Sequence, residues 1–185
     1  MSNTRIELII GPMFSGKSTE LLRRTSRYEA IGKRVLLINH TKDSRTDNQI
    51  QTHSNHTQQA LKVSSLVSLL DMKEYTDADV IGIDESQFFE DLLDFISIGE
   101  YHNKIFIISG LDGDYKRRPI GQILMLIPLC DSVVKLTSLD MMDKDGSAGL
   151  FTKRIGNSDQ LVLIGAENEY LSVNRKNYLY YKIKY

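Results

Sequence analysis

Short apolar runs alternate with stretches of helical spacing along most of the chain. Ile6-Glu7-Leu8-Ile9-Ile10 has the length of a buried strand. Leu21, Leu22, Thr25, Tyr28 and Ile31 then recur at helical spacing, and Gly32 is a credible stop. Residues 33–39 read as a second strand. Strand, helix and strand in that order predict a parallel sheet. Further strands are expected over residues 60–63, 79–83, 104–109 and 131–137, with helices over 64–73 (Ser64 as cap) and 122–129. Ser86-Gln87-Phe88-Phe89 leads another helix to about Ile98, with Phe89, Leu92, Leu93 and Ile96 as its core stripe. Phe88 falls one residue off that stripe, where it can project into a pocket. Residues 40–58 are nearly free of apolar side chains and read as a loop. The tail, residues 178–185, alternates loosely and reads as a terminal strand or a packed end.

Between the first strand and the first helix lies Gly11-Pro12-Met13-Phe14-Ser15-Gly16-Lys17-Ser18, a G-x-x-x-x-G-K-S phosphate loop. Its glycines let backbone N–H groups approach a phosphate closely, and the following helix N-terminus favours the anion. Lys17 is expected on the outer phosphates, and the Ser18 hydroxyl on Mg²⁺. A chance glycine turn would not also carry strand, motif and helix in this order.

Composition narrows the class. A chain of 185 residues suits one domain, or one with a small appendage. With 23 Lys+Arg against 24 Asp+Glu, bulk charge advertises neither nucleic acid nor membrane. Arg23, Arg24 and Arg27 are read as a solvated helix face. Cys130 is the single cysteine, which excludes an intramolecular disulfide and suits a reducing, cytoplasmic setting. A small half-hydrophobic core residue is its simplest role. No apolar run reaches about 18 residues, and a strand begins almost at the N-terminus, so neither a membrane helix nor a signal peptide is expected.

Asp79-Val80-Ile81-Gly82-Ile83-Asp84-Glu85 is an apolar strand ending in an acidic pair, the Walker B arrangement. Asp84 is expected on the metal side, acting through water. Glu85 is then free to act as a base near the transferred phosphoryl group. Two activities fit: an NTPase whose Glu85 activates water, and a small-molecule kinase whose Glu85 takes a proton from a substrate hydroxyl. Asp43-Ser44-Arg45 reads as a turn, although an acid and a base beside an ATP site can hold phosphate and substrate. His53 and His56 lack the further ligands zinc needs and read as solvated loop residues. The run Gly110-Leu111-Asp112-Gly113-Asp114-Tyr115 follows a strand, where open α/β sheets place ligands.

Together these motifs resemble the type II thymidine kinases, the family of cytosolic animal, bacterial and poxviral enzymes. The matching stretches are Gly11 through Leu21, Asp43-Ser44-Arg45, Asp84-Glu85-Ser86-Gln87-Phe88-Phe89 and Gly110 through Tyr115. They continue with Val134-Lys135-Leu136-Thr137, Phe151-Thr152-Lys153-Arg154 and Ile164-Gly165 through Tyr170. The resemblance implies a RecA-like P-loop domain over residues 1–137 and a small lasso domain over 138–185 that closes on thymidine. It implies transfer of the γ-phosphoryl of ATP, with Mg²⁺, to the 5′-hydroxyl of thymidine, with deoxyuridine as an alternative substrate and Glu85 as base. The implied ATP-binding residues are Gly11, Pro12, Met13, Phe14, Ser15, Gly16, Lys17, Ser18, Thr19, Asp43, Ser44, Arg45, Asp84 and Gln87, with Ser18 and Asp84 on the metal side. Phe88, Leu111, Tyr115 and Thr152 would line the nucleoside pocket, with Met13 at its edge. Backbone over Leu161, Val162, Leu163, Ile164 and Gly165, together with Tyr170, would read the pyrimidine. Members of the family are commonly tetramers inhibited by thymidine triphosphate.

One departure stands out. Many members staple the lasso with zinc through two C-x-x-C pairs. The corresponding positions here are Asp140-Met141-Met142-Asp143 and Asn174-Arg175-Lys176-Asn177, without a cysteine among them. Thiolates suit zinc, whereas carboxylates and amides form a harder oxygen set. A hydrogen-bonded staple without metal, a weakly held hard cation, and zinc on four oxygens are the alternatives. The last conflicts with the sulfur and nitrogen preference of structural zinc. Asp143-Lys144-Asp145-Gly146 lacks the first aspartate and closing glutamate of a calcium loop. The metal-free staple is the expectation, built from amides and carboxylate-to-lysine pairs.

Overall fold

The structure is a computed structural model that describes residues 3–43, 49–51, 57–155 and 169–180. Six strands form one parallel sheet: β1 (Arg5–Gly11), β2 (Val35–His40), β5 (Leu61–Val63), β6 (Val80–Ile83), β7 (Ile105–Leu111) and β8 (Ser132–Lys135). Their order across the sheet is β5-β2-β6-β7-β1-β8, so β1 lies between β7 and β8. Helix α1 (Lys17–Glu29) covers one face, and α3 (Leu92–Gly99) lies in the core of the other. This is the expected α/β architecture.

The inner strands β1, β2, β6 and β7 read as near-continuous apolar runs because both faces are covered, whereas β5 and β8 at the edges are only partly buried. Side chains along β1 alternate between two cores. Ile6, Leu8 and Ile10 join Phe95, Phe106 and Ile96 on one side. Ile9 joins Leu21, Leu22, Leu37 and Ile107 on the other, beneath α1. Glu7 falls on the α1 face, and there Arg24 meets it at 2.7 Å while Arg5 meets it at 2.8 Å. Arg24 also pairs with Glu20 at 2.8 Å, so the arginine face of α1 is partly tied down rather than wholly solvated.

Several elements differ from their expected form. Helix α1 ends at Glu29, which leaves Ile31 71% exposed instead of in the stripe. The stretch 64–73 is a single 3₁₀ turn (Val67–Leu69) that buries Leu66 and Leu69, and α2 starts only at Lys73 and ends at Asp77. The helix expected from Ser86 is interrupted: a 3₁₀ turn spans Ser86–Phe88, Phe89 is extended, and α3 begins at Leu92. Phe95, unremarked in the sequence pattern, is fully buried beside Leu92 and Ile96. Residues Ile123–Leu129 form a 3₁₀ helix containing Pro128, which lacks an N–H to donate. The polar stretch 40–58 holds an antiparallel hairpin, β3 (Gln49–Gln51) with β4 (Thr57–Gln59). Its anchor is one apolar residue, the fully buried Ile50, too little to register as a strand pattern. His53 and His56 lie outside the described residues.

After β8 the chain makes small antiparallel pairs. These are β9 (Ser138–Leu139) with β10 (Ala148–Gly149), and β11 (Phe151–Arg154) with β12 (Tyr170–Val173). Helix α4 (Arg175–Tyr180) follows, so Tyr178 to Tyr180 are helical and not the start of a strand. Residues 181–185 lie outside the described residues. Cys130 is half-buried, its thiol donating to the Leu126 carbonyl at 3.1 Å, and burial, then the Asp131 charge, push its pKa up to about 11. Among the described residues no helix is long and apolar enough to cross a membrane.

Candidate active site

Parallel strands deliver their C-terminal ends to one edge of the sheet, and the expected site residues gather there. The phosphate loop leaves β1 with Phe14 at φ +62° and turns into α1 through Gly16 at φ +81°, a conformation glycine adopts without strain. Ser15 Oγ and Lys17 Nζ both donate to the Pro12 carbonyl, at 2.8 and 2.7 Å, and close the loop on itself. Ser18 and Thr19 lie in the first turn of α1.

Asp84 follows β6 and is buried. It accepts from Ser109 Oγ on β7 at 2.5 Å and also bonds the Ser18 hydroxyl. Burial, then the neighbouring Glu85 charge, push its carboxyl above the usual range against those two hydrogen bonds. Ser18 and Asp84 thus meet as a hydroxyl and a carboxylate, the hard oxygen donors that suit Mg²⁺. Ser109 went unremarked in the sequence. The signal was a polar residue ending an apolar strand whose register pairs Ile83 with Ile108.

Glu85 sits at φ +49°, left-handed backbone that a non-glycine residue rarely adopts. Strain of this kind gathers at functional sites, typically about 1–3 kcal/mol. Its carboxylate accepts from Gln87 Nε2 at 2.6 Å, and Gln87 Oε1 accepts from the Leu111 N–H at 3.0 Å.

The residues expected around the nucleoside fall into groups. The Met13 N–H donates to Thr152 Oγ1 at 3.0 Å, joining the phosphate loop to β11. Tyr115 and Tyr170 are brought together by Arg154, whose guanidinium lies 3.9 Å from the Tyr115 ring centre and bonds the Tyr170 hydroxyl. Arg154 is buried, and nothing in the sequence beyond the matching motif marks it for a role. Tyr178 Oη donates to the Tyr115 carbonyl at 2.9 Å, so α4 supports the same loop. Phe88 is half-buried and packs on His40, ring centres 5.8 Å apart. His40 Nδ1 accepts from the Lys42 N–H at 2.9 Å, which leaves the ring neutral with its proton on Nε2. Burial and then the Lys42 charge hold the His40 pKa below its usual value, consistent with that neutral form.

Asp43 is buried at the end of β2, where Asn39 Nδ2 donates to its carboxylate at 2.8 Å and Lys62 Nζ to its carbonyl at 2.5 Å. Ser44, Arg45, Leu161, Val162, Leu163, Ile164 and Gly165 lie outside the described residues.

At the cysteine-free positions, Asp140 is 2% exposed and collects N–H donors. Its Oδ1 accepts from the Met142 and Asp143 N–H groups at 2.9 and 2.7 Å. Its Oδ2 accepts from the Asn174 N–H, and Asn177 Nδ2 reaches both oxygens at 3.1 Å. The Lys176–Asp143 pair is 4.0 Å apart and exposed, so amides rather than lysine pairs make the link. Among the described residues no three His, Cys, Asp or Glu side chains gather as a metal cluster.

A parallel sheet with a phosphate loop after β1 and an acidic pair after β6 defines a P-loop nucleotide-binding protein that transfers phosphoryl groups. The sequence profile described as thymidine kinase matches residues 4–178, and the chain belongs to that family. It is 42% identical over 179 residues to the thymidine kinase of raccoon poxvirus, covering 97% of this chain and 99% of that one. Identity to the monkeypox virus thymidine kinase is 43%, and to that of vaccinia virus strain Western Reserve 42%, with the same coverage.

Proposed function

We propose that this site transfers the γ-phosphoryl group of ATP to the 5′-hydroxyl of thymidine, in nucleotide salvage. One observation carries the reading most directly: Glu85 is tied through Gln87 to Leu111, at the mouth of the glycine-rich loop that follows β7. A base serving water needs no such link to a second-substrate wall.

The phosphate loop and Lys17 hold the triphosphate, and Ser18 and Asp84 hold Mg²⁺. The bound ion offsets charge on the phosphate oxygens. Glu85 takes the 5′-hydroxyl proton as that oxygen bonds to phosphorus and ADP leaves. Met13, Phe88, Leu111, Tyr115, Thr152 and Tyr170 enclose the nucleoside and exclude water, and the family resemblance assigns the pyrimidine to the backbone of Leu161 to Gly165. The family resemblance assigns Asp43, Ser44 and Arg45 to the ATP phosphates. Residues 138–185 act as the closing lasso, stapled by Asp140 without zinc. Donors converging on Asp140 support that reading, since N–H groups occupy the directions a cation would need. A cytoplasmic homotetramer inhibited by thymidine triphosphate fits the family.

The test is a nucleoside panel with labelled ATP, run on the native chain and on Glu85→Gln. Thymidine monophosphate should form, and Glu85→Gln should lower turnover by about 10²–10⁴-fold. Phosphate release without nucleoside product would instead favour a P-loop NTPase. Turnover of Glu85→Gln within a factor of about two of native would remove Glu85 from the role.

A further inference from the structure

We propose that Gln87 is the positioning residue for the base, orienting the Glu85 carboxylate through a hydrogen bond whose direction the protein backbone dictates. The inference rests on Glu85 acting as the base. It departs from the ATP contact that the family resemblance assigns to Gln87.

An amide side chain has one accepting and one donating end, and ordinarily either can face a given neighbour. Here the choice is forced. The Leu111 N–H can only donate, so Gln87 Oε1 must face it, at 3.0 Å. Nε2 is thereby turned to Glu85 Oε2, at 2.6 Å, and donates to it. The bond holds Glu85 Oε2 in a set direction relative to the end of β7. The anchor, Leu111, ends β7 in register with Gly11 of the phosphate loop, so the base is referenced to the point where the phosphate and nucleoside sides meet.

The surroundings are built for this side chain. Gln87 is 4% exposed. A Cβ on Gly110 would stand 2.5 Å from Gln87 Oε1, and one on Gly121 would stand 2.2 Å from the Gln87 carbonyl oxygen. Both positions therefore need glycine for Gln87 to lie where it does. Gln87 lies in the 3₁₀ turn Ser86–Phe88, which directly follows Glu85 and its left-handed backbone.

Gln87→Glu keeps the length and the acceptor for Leu111 but sets a second carboxyl group against Glu85 in place of the amide donor. Gln87→Met keeps the length and removes both. Each is measured for kcat and for KM of ATP and thymidine, alone and in the Glu85→Gln background. Alone, either variant should lower kcat by about 10–100-fold, the scale of a misplaced reacting group, with both KM values within about threefold. In the Glu85→Gln background the same change should alter kcat by less than about twofold, because the group being aimed is gone. A raised KM for ATP with kcat retained would overturn the proposal in favour of a direct ATP contact. A full-sized loss in the Glu85→Gln background would overturn it in favour of a general structural role. Native-like turnover of Glu85→Gln alone would instead remove the base, and the positioning role with it. That result is read from a different single variant, so the two failures are distinguishable.

Discussion

Removing the Asp140 carboxylate should open the region after β8 and leave the main sheet intact. Asp140→Ala strips the acceptor from two backbone N–H groups in its own turn, Met142 and Asp143, and from two donors across the fold, the Asn174 N–H and Asn177 Nδ2. The local pair reaches water when the turn loosens. Asn177 is fully buried and Asn174 is half-buried, so the cross-fold donors lose most. Unsatisfied buried donors cost about 1–3 kcal/mol each, which places the loss near 2–6 kcal/mol. A domain of this size holds about 5–15 kcal/mol in total, but these contacts join only the ends of one small region. Local opening is therefore expected rather than global unfolding. Hydrogen exchange read by mass spectrometry checks it on peptides covering 138–154 and 170–180. Their exchange should accelerate at least about 30-fold, the equivalent of 2 kcal/mol, while β1, β6 and β7 keep native protection. Asp140→Asn, which keeps the shape and one acceptor, should fall between. Native protection of the 170–180 peptide in Asp140→Ala would refute the staple, as would equal acceleration across the central sheet.

The same carboxylate predicts acid lability. Burial opposes its charge, but hydrogen bonds from Asn174, Asp143, Asn177 and Met142 outweigh that and hold its pKa below the usual value. Its stabilisation is then fully present above the unfolded value near pH 4 and lost as pH falls through the lower folded value. Asp145, also held low by Ser147, titrates in the same direction, so the check is whether the protection gap between native and Asp140→Asn closes below about pH 4. For metal, EDTA should stop turnover by removing Mg²⁺ without altering hydrogen exchange after β8, and elemental analysis showing stoichiometric zinc would overturn the metal-free staple. Lys17→Ala should weaken ATP use through loss of a charge on the outer phosphates, and an unchanged dependence of rate on ATP would count against the loop's role. Cys130, with its pKa near 11, should resist alkylation at neutral pH in the folded chain, and labelling as fast as in denaturant would contradict its burial.

The central sheet was legible because its inner strands are buried on both faces and read as near-uninterrupted apolar runs. What the pattern missed has common physical causes. The hairpin β3–β4 carries one buried side chain, Ile50, on an otherwise polar ribbon, so no alternation marks it. Periodicity also ran the helix straight through Ser86–Phe89, where the chain makes a 3₁₀ turn and an extended residue before α3. A helical stripe records which side chains are apolar, and it cannot register a backbone reversal set by one residue in left-handed geometry. Glu85 was legible as a carboxylate and invisible as a strained one.

The site divides along the same line. Groups supplied by one continuous motif could be read directly: Ser18 beside Asp84 follows from a phosphate loop after β1 and an acidic pair after β6, two strands separated only by β7. Groups that depend on which polar atom faces which could not. Arg154 lies between Tyr115 and Tyr170, 39 positions beyond the first and 16 before the second. Gln87 is two residues from Glu85, yet its orientation comes from the backbone of Leu111, 24 positions on. Asp140 likewise gains its staple from Asn174 and Asn177, more than 30 positions away. The cysteine-free positions nevertheless carried half of that answer in their chemistry. A zinc thiolate set is a convergence of electron pairs on a cation. One carboxylate ringed by amides is the inverse, a convergence of N–H donors on an anion, and it can close the same loop. None of Asp140, Asp143, Asn174 and Asn177 is a cysteine, and of the two carboxylates it is Asp140 on which these N–H donors converge.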